Sequence, residues 1–300
     1  MRIVKVNKDS IANILSDLLK RSPTNYGDFQ DKVDAIIKNV RDNGDKAVFD
    51  YTAQFDKAEI NAENILVTEE EIKEAYEEVD DELIKVIRKA IKNIRDFHEK
   101  QIQKSWFETR EDGVMLGQKV TPMETCGVYV PGGKAVYPSS VLMNIVPAHV
   151  AGVKNIIMTT PPGKDGKVTA NTLVAAKEAG ATKVYKVGGA QAIAAMAFGT
   201  ESIPKVDKIV GPGNIFVALA KKAVYGNVSI DSIAGPSEIL VLADETANPR
   251  YVAADLLSQA EHDEMASAIL VTTSEELAHK VSDEIDGFLN QLSSCLLYTS

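Results

Sequence analysis

Residues 256–264, LLSQAEHDE, place an amide and an imidazole three positions apart, at Gln259 and His262. Residues i and i+3 lie on the same face of a helix, so these two side chains can present an oxygen and a nitrogen to one point. Imidazole is a good Zn²⁺ ligand, whereas an amide oxygen is an unusual one. The same pattern is typical of a solvated helix end, where a histidine interacts with the helix dipole. On spacing alone, both interpretations remain open.

Three glycine-rich corners follow predicted strands in the middle of the chain, with the sequences VYVPGGK, KVGGAQA and IVGPGN. Glycine lets the backbone turn sharply and approach a ligand, and a helix that begins at such a corner points its amides at the ligand. Ordinary βα turns are the alternative for any single corner, and none of the three matches the G-x-G-x-x-G fingerprint. Together they predict an anion or cofactor site beyond the carboxyl ends of parallel strands.

Other residues are weaker candidates for chemistry. Ser237, in IAGPSEILV, could donate a hydrogen bond to a substrate, and a plain turn is the alternative. Cys126 could be a nucleophile, but no histidine lies near it in the sequence, and a buried inert thiol is the alternative. The remaining histidines are expected to be surface or packed residues: His98, His149 and His279.

The elements that position these residues follow from the hydrophobic periodicity. Before the first corner the chain is charged and helical: Ser10 can cap one helix, residues 27–44 form another that stops at Gly44, and Thr68 with Glu71 forms a capping box. Asp112-Gly113 favours a tight hairpin turn. After these elements, short β-branched runs alternate with alanine-rich helical runs, which predicts parallel sheets flanked by helices.

The predicted fold class is α/β, with two Rossmann-like parallel-sheet lobes, one inserted in the other and both incomplete, and an N-terminal helical segment. Residues 1–22 form the helical arm. The outer lobe combines residues 23–125 with residues 238–300, and the inserted lobe, which carries the three corners, is formed by residues 126–237.

The composition excludes several classes of function. The 300 residues include 33 basic and 43 acidic side chains, and the net charge of −10 disfavours nucleic acid and anionic membranes as partners. The N-terminus lacks the pattern of a signal peptide, and only Cys126 and Cys295 could form a disulfide. We therefore expect a cytoplasmic protein with no nucleic-acid or membrane partner.

Four segments closely resemble the histidinol dehydrogenase family in their order and spacing. They are GVYVPGGKAVYPSSVLMNIVPAHVAGV, GGAQAIAAMAFGTESIPKVDKIVGPGN, DSIAGPSEILVLAD and AADLLSQAEHD. The resemblance implies an enzyme of histidine biosynthesis that oxidises L-histidinol through L-histidinal to L-histidine. It also implies NAD and Zn²⁺ as cofactors, with two NAD⁺ consumed for each histidinol, and a homodimer.

The resemblance assigns roles to residues by motif. Tyr129, Gln191 and Asn214 fall on positions where the family contacts NAD. Ser237 falls on a substrate-binding position. Positions that bind both zinc and substrate in the family are occupied by Gln259 and His262.

The resemblance also implies that the chain lacks part of the catalytic machinery. Family members are longer, and their acid/base Glu-His pair, their remaining zinc ligands and a substrate-binding glutamate would lie beyond residue 300. No catalytic residue is therefore assigned within this chain. The alternatives are that the chain is a non-catalytic NAD-binding fragment, or an aldehyde dehydrogenase-like enzyme that uses Cys126.

Overall fold

The computed structural model describes residues 1–7, 11, 27–132, 138–233, 238–261 and 266–290. The predicted cap at Ser10, the predicted site residues Ser237 and His262, and Cys295 lie outside these residues. The chain divides into two compact units, and the unit formed by residues 25–234 is inserted between the two parts of the other, residues 1–24 and 235–300. The predicted α/β class with one unit inserted in the other is thereby confirmed. The predicted boundaries of the arm and lobes stay predictions.

The secondary structure alternates as the sequence indicates. The helices of the described chain are α1 (Gly27–Phe55), α2 (Glu69–Glu78), α3 (Asp81–His98), α4 (Pro138–Val150), α5 (Ala170–Ala179), α6 (Gly189–Phe198), α7 (Ile215–Val224), α8 (Pro249–Ala260) and α9 (Glu275–Leu289). The strands are β1 (Trp106–Thr109), β2 (Met115–Gln118), β3 (Thr125–Tyr129), β4 (Asn155–Thr160), β5 (Lys183–Lys186), β6 (Lys208–Val210), β7 (Ser229–Ile230), β8 (Glu238–Ala243) and β9 (Ser267–Thr272). None of these helices is long and apolar enough to cross a membrane.

The inserted unit is built on a five-stranded parallel sheet with the spatial order β5-β4-β3-β6-β7. The first strand of the sheet, β3, lies in the centre, and the chain adds strands on one side of it before crossing to the other side. This is the order of doubly wound nucleotide-binding sheets, in which ligands bind beyond the carboxyl ends of the two central strands. Here those two strands are β3 and β6.

Alternation of side chains along β3 divides the core between the two faces of this sheet. Tyr129 packs with α1, α6 and α7 on one face. Cys126 and Val128 pack with α2, α3, α4 and α5 on the other. Because helices cover both faces, β3 and β4 are buried along nearly their whole length, as expected of a parallel sheet.

Several local predictions are confirmed. The Thr68 hydroxyl accepts from the Glu71 amide, and the Glu71 carboxylate accepts from the Thr68 amide, which completes the capping box. β1 and β2 form an antiparallel hairpin, and the Asp112 carboxylate accepts from the Val114 amide at its turn. The helical conformation of α1 breaks at Gly44, as predicted, where φ is 53°. A second helical segment follows it to Phe55, which the sequence did not predict.

The other unit contains a two-stranded parallel sheet of β8 and β9. Alternate residues of β8, Ile239 and Val241, pack against a small core that includes residues of α8 and α9. The intervening residues, Leu240 and Leu242, are exposed. Helix α8 begins with Pro249 in its first turn, as the sequence predicts, and is capped by Asn248.

Candidate functional site

The carboxyl edge of the five-stranded sheet brings the three glycine-rich corners together around Tyr129. Tyr129 is the last residue of β3 and is 3% exposed. Its hydroxyl accepts a hydrogen bond of 3.2 Å from the backbone amide of Gly189, in the second corner. Its carbonyl oxygen lies against Gly211, in the third corner. One buried residue therefore connects the first corner to both of the others, through its side chain and its backbone carbonyl.

The protonation state of Tyr129 follows from this burial. Burial raises the pKa of the Tyr129 hydroxyl to about 12, the hydrogen bond from Gly189 opposes this shift, and the negative charge of Asp56 adds to it. The hydroxyl therefore keeps its proton at neutral pH. Since it accepts from Gly189, its own hydrogen remains available to donate.

Gln191 lies in the first turn of α6, directly after the second corner, and is 1% exposed. Neither its amide oxygen nor its amide nitrogen has a hydrogen-bond partner among the described residues. A buried amide without partners costs about 1–3 kcal/mol, so such groups are rare in native proteins. The most direct physical account is that Gln191 hydrogen-bonds to a bound molecule.

Close backbone approach explains the glycines at these corners. A Cβ at Gly132 or at Gly188 would lie 2.5 Å from the ring of Pro161, which follows β4. A Cβ at Gly189 would lie 2.6 Å from the amide oxygen of Gln191. A side chain at any of these positions would collide with Pro161 or Gln191, so the close packing of the segments at this edge of the sheet requires glycine.

Asn214 ends the third corner and begins α7. Its amide oxygen accepts from the backbone amides of Phe216 (3.1 Å) and Val217 (3.2 Å), which makes it the N-cap of the helix. This contact fixes the orientation of the side chain. The amide nitrogen has no hydrogen-bond partner among the described residues, and the residue is exposed. Asn214 can therefore donate to a ligand while it caps the helix.

Sequence reasoning missed Asp56, which directly follows α1. Burial raises the pKa of its carboxyl group to about 6, and one of its oxygens, Oδ2, is buried without a partner among the described residues. Its charge also contributes to the raised pKa of Tyr129. An aspartate after a helix carries no sequence signal of such a role, because its position near the corner depends on packing between distant segments.

Cys126 does not have the environment of a nucleophile. It is the second residue of β3, 3% exposed, and it packs on the face of the sheet opposite to that of Tyr129. Burial raises the pKa of its thiol to about 11. The thiolate is the reactive form, so the structure argues against the predicted alternative of an aldehyde dehydrogenase-like mechanism through Cys126.

The predicted metal and substrate residues belong to the other unit. Gln259 lies in the last turn of α8, is partly buried, and its side chain has no hydrogen-bond partner in the described part of the chain. His262 and Ser237 lie outside the described residues, so the roles of all three stay predictions. Among the described residues no three histidine, cysteine or acidic side chains are grouped as a metal site would require.

These features define a class, the doubly wound α/β proteins whose glycine-rich corners meet at the carboxyl edge of a parallel sheet. Within this class, the chain belongs to the histidinol dehydrogenase family, whose family model matches residues 19–298.

Individual relatives agree with this assignment. A histidinol dehydrogenase from Halalkalibacterium halodurans is 57% identical over 293 residues, which cover 97% of this chain and 67% of that protein. A histidinol dehydrogenase from Bacillus subtilis is 58% identical over 290 residues, which cover 96% of this chain and 67% of that protein. The crystal structure of histidinol dehydrogenase from Elizabethkingia anophelis superposes with a TM-score of 0.82 at 40% identity, covering 98% of this chain and 63% of that one. The chain thus spans about two thirds of the length of these relatives.

The close approach at Gly211 predicts an unequal response of two glycines to alanine. Both Gly211 (φ 113°) and Gly226 (φ 101°) have left-handed backbones, where a side chain costs about 1–2 kcal/mol. A Cβ at Gly211 would also overlap the Tyr129 carbonyl oxygen, whereas one at Gly226 meets no described atom within 4 Å. In urea unfolding, Gly211→Ala should cost about 2–5 kcal/mol and Gly226→Ala about 1–2 kcal/mol. Equal losses would contradict the close packing of these corners.

The raised pKa of Cys126 predicts a thiol that does not react in the folded protein. At pH 8 only about one molecule in a thousand should carry the thiolate. In a Cys295→Ser background, iodoacetamide should leave Cys126 unmodified in buffer and alkylate it in urea, as read by mass spectrometry. Rapid alkylation of the folded chain would restore Cys126 as a candidate nucleophile.

Proposed function

We propose that this chain is the N-terminal part of an NAD- and zinc-dependent histidinol dehydrogenase that oxidises L-histidinol through L-histidinal to L-histidine. Membership of the family supports the activity. The observation that carries the proposal is that three corners meet at Tyr129. These corners carry Tyr129, Gln191 and Asn214, and they lie at the edge where nucleotides bind in such sheets. The predicted cytoplasmic location and homodimer belong to the same proposal.

The residues present fit NAD. Gln191 offers a buried amide that has no hydrogen-bond partner in the described part of the chain, so a bound cofactor would satisfy a group that the protein leaves unsatisfied. When bound, NAD⁺ supplies the hydride acceptor of the reaction. The contribution of this chain is to bind and orient the cofactor.

Each proposed contact has a defined donor or acceptor. The Tyr129 hydroxyl and the Asn214 amide nitrogen are donors suited to oxygens of the cofactor, and the amide of Gln191 can both donate and accept. Asp56 adds a buried acceptor oxygen. Tyr129 and Asn214 are already fixed by bonds to Gly189 and to the start of α7. Fixed groups of this kind lose little freedom when a ligand binds.

The fit to zinc is incomplete within this chain. Gln259 and His262 are the two proposed ligands, whereas a catalytic zinc site in proteins uses three protein ligands. No group of three such residues exists among the described residues. The family resemblance implies that the remaining ligands lie beyond residue 300, so we derive no step of the reaction from zinc here.

For the 300-residue chain alone, the proposal is an NAD-binding fragment without turnover. The chain spans about two thirds of its curated relatives, and the family resemblance implies that the acid/base pair lies outside it. Hydride transfer from an alcohol requires a base to take the hydroxyl proton. Without that base, cofactor binding should survive and oxidation should not.

Replacement of Gln191 by leucine tests the cofactor site. Gln191→Leu removes a buried amide without partners, so the free chain should become more stable by about 1–3 kcal/mol in urea unfolding. NAD⁺ should bind about tenfold or more weakly in calorimetric titration, because the ligand loses its polar partner. Gly226→Ala, away from the corners, serves as a control whose NAD⁺ affinity should not change. A stabilised variant with unchanged NAD⁺ affinity would contradict a contact between Gln191 and the cofactor.

A chimera tests the activity. Residues 1–290 of this chain, followed by the remaining C-terminal part of the Halalkalibacterium halodurans relative, should reduce NAD⁺ with L-histidinol, as followed by NADH absorbance. The 300-residue chain should give no turnover. His262→Asn in the chimera should lower zinc content and activity together. Turnover by the short chain, or full zinc content in the His262→Asn chimera, would contradict the corresponding part of the proposal.

A further inference from the structure

A buried lysine lies behind the third corner. Lys221 is on α7 and is 1% exposed, although its neighbour Lys222 is exposed. Helical side chains point toward the N-terminus of their helix, so the Lys221 ammonium reaches back to the turn that precedes α7. There it donates a hydrogen bond of 2.9 Å to the carbonyl oxygen of Gly211. A buried ammonium is costly unless it is paired, so its presence requires an explanation.

The pairing partner is Asp231, directly after β7. One oxygen of its carboxylate, Oδ1, forms a short ion pair with the Lys221 ammonium and accepts from the Ser232 amide. The other oxygen, Oδ2, accepts a hydrogen bond of 2.8 Å from the backbone amide of Gly211. Lys221 and Asp231 therefore form hydrogen bonds with both the carbonyl oxygen and the amide of Gly211. We call this arrangement the Gly211 clamp; it consists of Lys221, Asp231 and Gly211.

The clamped glycine is the residue at which the third corner departs from β6. Its φ of 113° lies in the left-handed region, and its Cα packs against the Tyr129 carbonyl oxygen, so it has no room for a side chain. Pro212 and Gly213 follow, and Asn214 then caps α7. The direction in which the chain leaves Gly211 thus determines where Asn214 lies relative to Tyr129.

We propose that Lys221 and Asp231 are positioning residues for the cofactor: they hold Gly211 so that the turn of residues 211–214 keeps Asn214 at the carboxyl edge. This inference rests on the proposed binding of NAD at that edge. Neither side chain would need to touch the cofactor. An apolar residue at position 221 would satisfy α7 as a helix, since replacing a buried ion pair by apolar residues is often neutral for stability. Stability alone therefore does not explain the Lys221–Asp231 pair, and we expect the pair to have a function as well.

The Lys221→Met variant of the 300-residue chain tests the clamp. Methionine keeps the unbranched stem and removes the ammonium, so the Gly211 carbonyl loses its donor. Calorimetric titration should show NAD⁺ binding about tenfold weaker, and hydrogen exchange should be faster at the Gly211 amide, because the Asp231 carboxylate that accepts from it loses its ionic partner. Exchange at the Gly189 amide, which is bonded to Tyr129 in the second corner, should not change. Unchanged affinity with unchanged exchange at Gly211 would overturn the inference.

A double variant separates positioning from stability. Asp231→Asn leaves the Lys221 charge buried and unpaired, so it should destabilise the chain strongly. Lys221→Met combined with Asp231→Asn removes both charges and should recover stability relative to Asp231→Asn. NAD⁺ affinity should stay about tenfold weak in the double variant, because the Gly211 carbonyl still lacks its donor. Recovery of affinity together with stability would overturn the inference, since the pair would then be merely structural.

Arg88→Met is a control for the loss of an ion pair elsewhere in the same unit. Arg88 pairs with Glu178 through two hydrogen bonds of 2.8 Å and 2.7 Å in the same unit, near the amino end of β5. Loss of the Arg88 guanidinium should leave the NAD⁺ affinity and the hydrogen exchange at Gly211 unchanged. If Arg88→Met lowered the NAD⁺ affinity as much as Lys221→Met, the effect would reflect general destabilisation of the unit, and the inference would be overturned. If the unaltered chain binds no NAD⁺, the proposed function fails, and exchange at Gly211 in Lys221→Met still decides whether the clamp holds the turn.

Discussion

The site depends on the contacts that Tyr129 makes at the end of β3. Its hydroxyl reaches the Gly189 amide across the neighbouring strand, and its carbonyl oxygen touches Gly211 on the other side. The parallel pairing of β3 with β4 and β6 places these three corners side by side, and the tyrosine then fixes their separation. The register of the sheet, rather than the conformation of independent loops, therefore determines the shape of the surface that a ligand at this edge would contact.

Buried polar groups divide into two kinds in the inserted unit. Lys221 and Lys186 are each paired with a carboxylate, so their burial is compensated. The buried side-chain atoms without partners, among the described residues, belong to Asp56 and Gln191 alone. Both residues are linked to the Tyr129 corner, one through its charge and the other through its position beside Gly189. The buried polar atoms without hydrogen-bond partners thus lie near the Tyr129 corner, where a ligand could bind to them.

The sequence predicted the buried helices α5 and α6 from their alanine-rich composition rather than from a polar face, since almost all of α6 is buried. Helix α4 was not predicted, because it is not alanine-rich and contains Pro147, which disfavours a helix interior. Family resemblance supplied Tyr129, Gln191 and Asn214. Neither pattern nor resemblance supplied Asp56, Lys221 or Asp231, because their roles depend on contacts in the folded chain that no sequence motif marks.

The two units differ in how completely the described chain builds them. Helices cover both faces of the five-stranded sheet, as a parallel sheet requires. In the other unit the described helices cover one face of β8, while Leu240 and Leu242, on the other face, are 60% and 78% exposed. A parallel pair with one apolar face in water is an unfavourable arrangement on its own. Within the described residues, the unit that carries the corners thus has helices on both faces of its sheet, whereas the unit that carries Gln259 leaves one apolar face of β8 exposed.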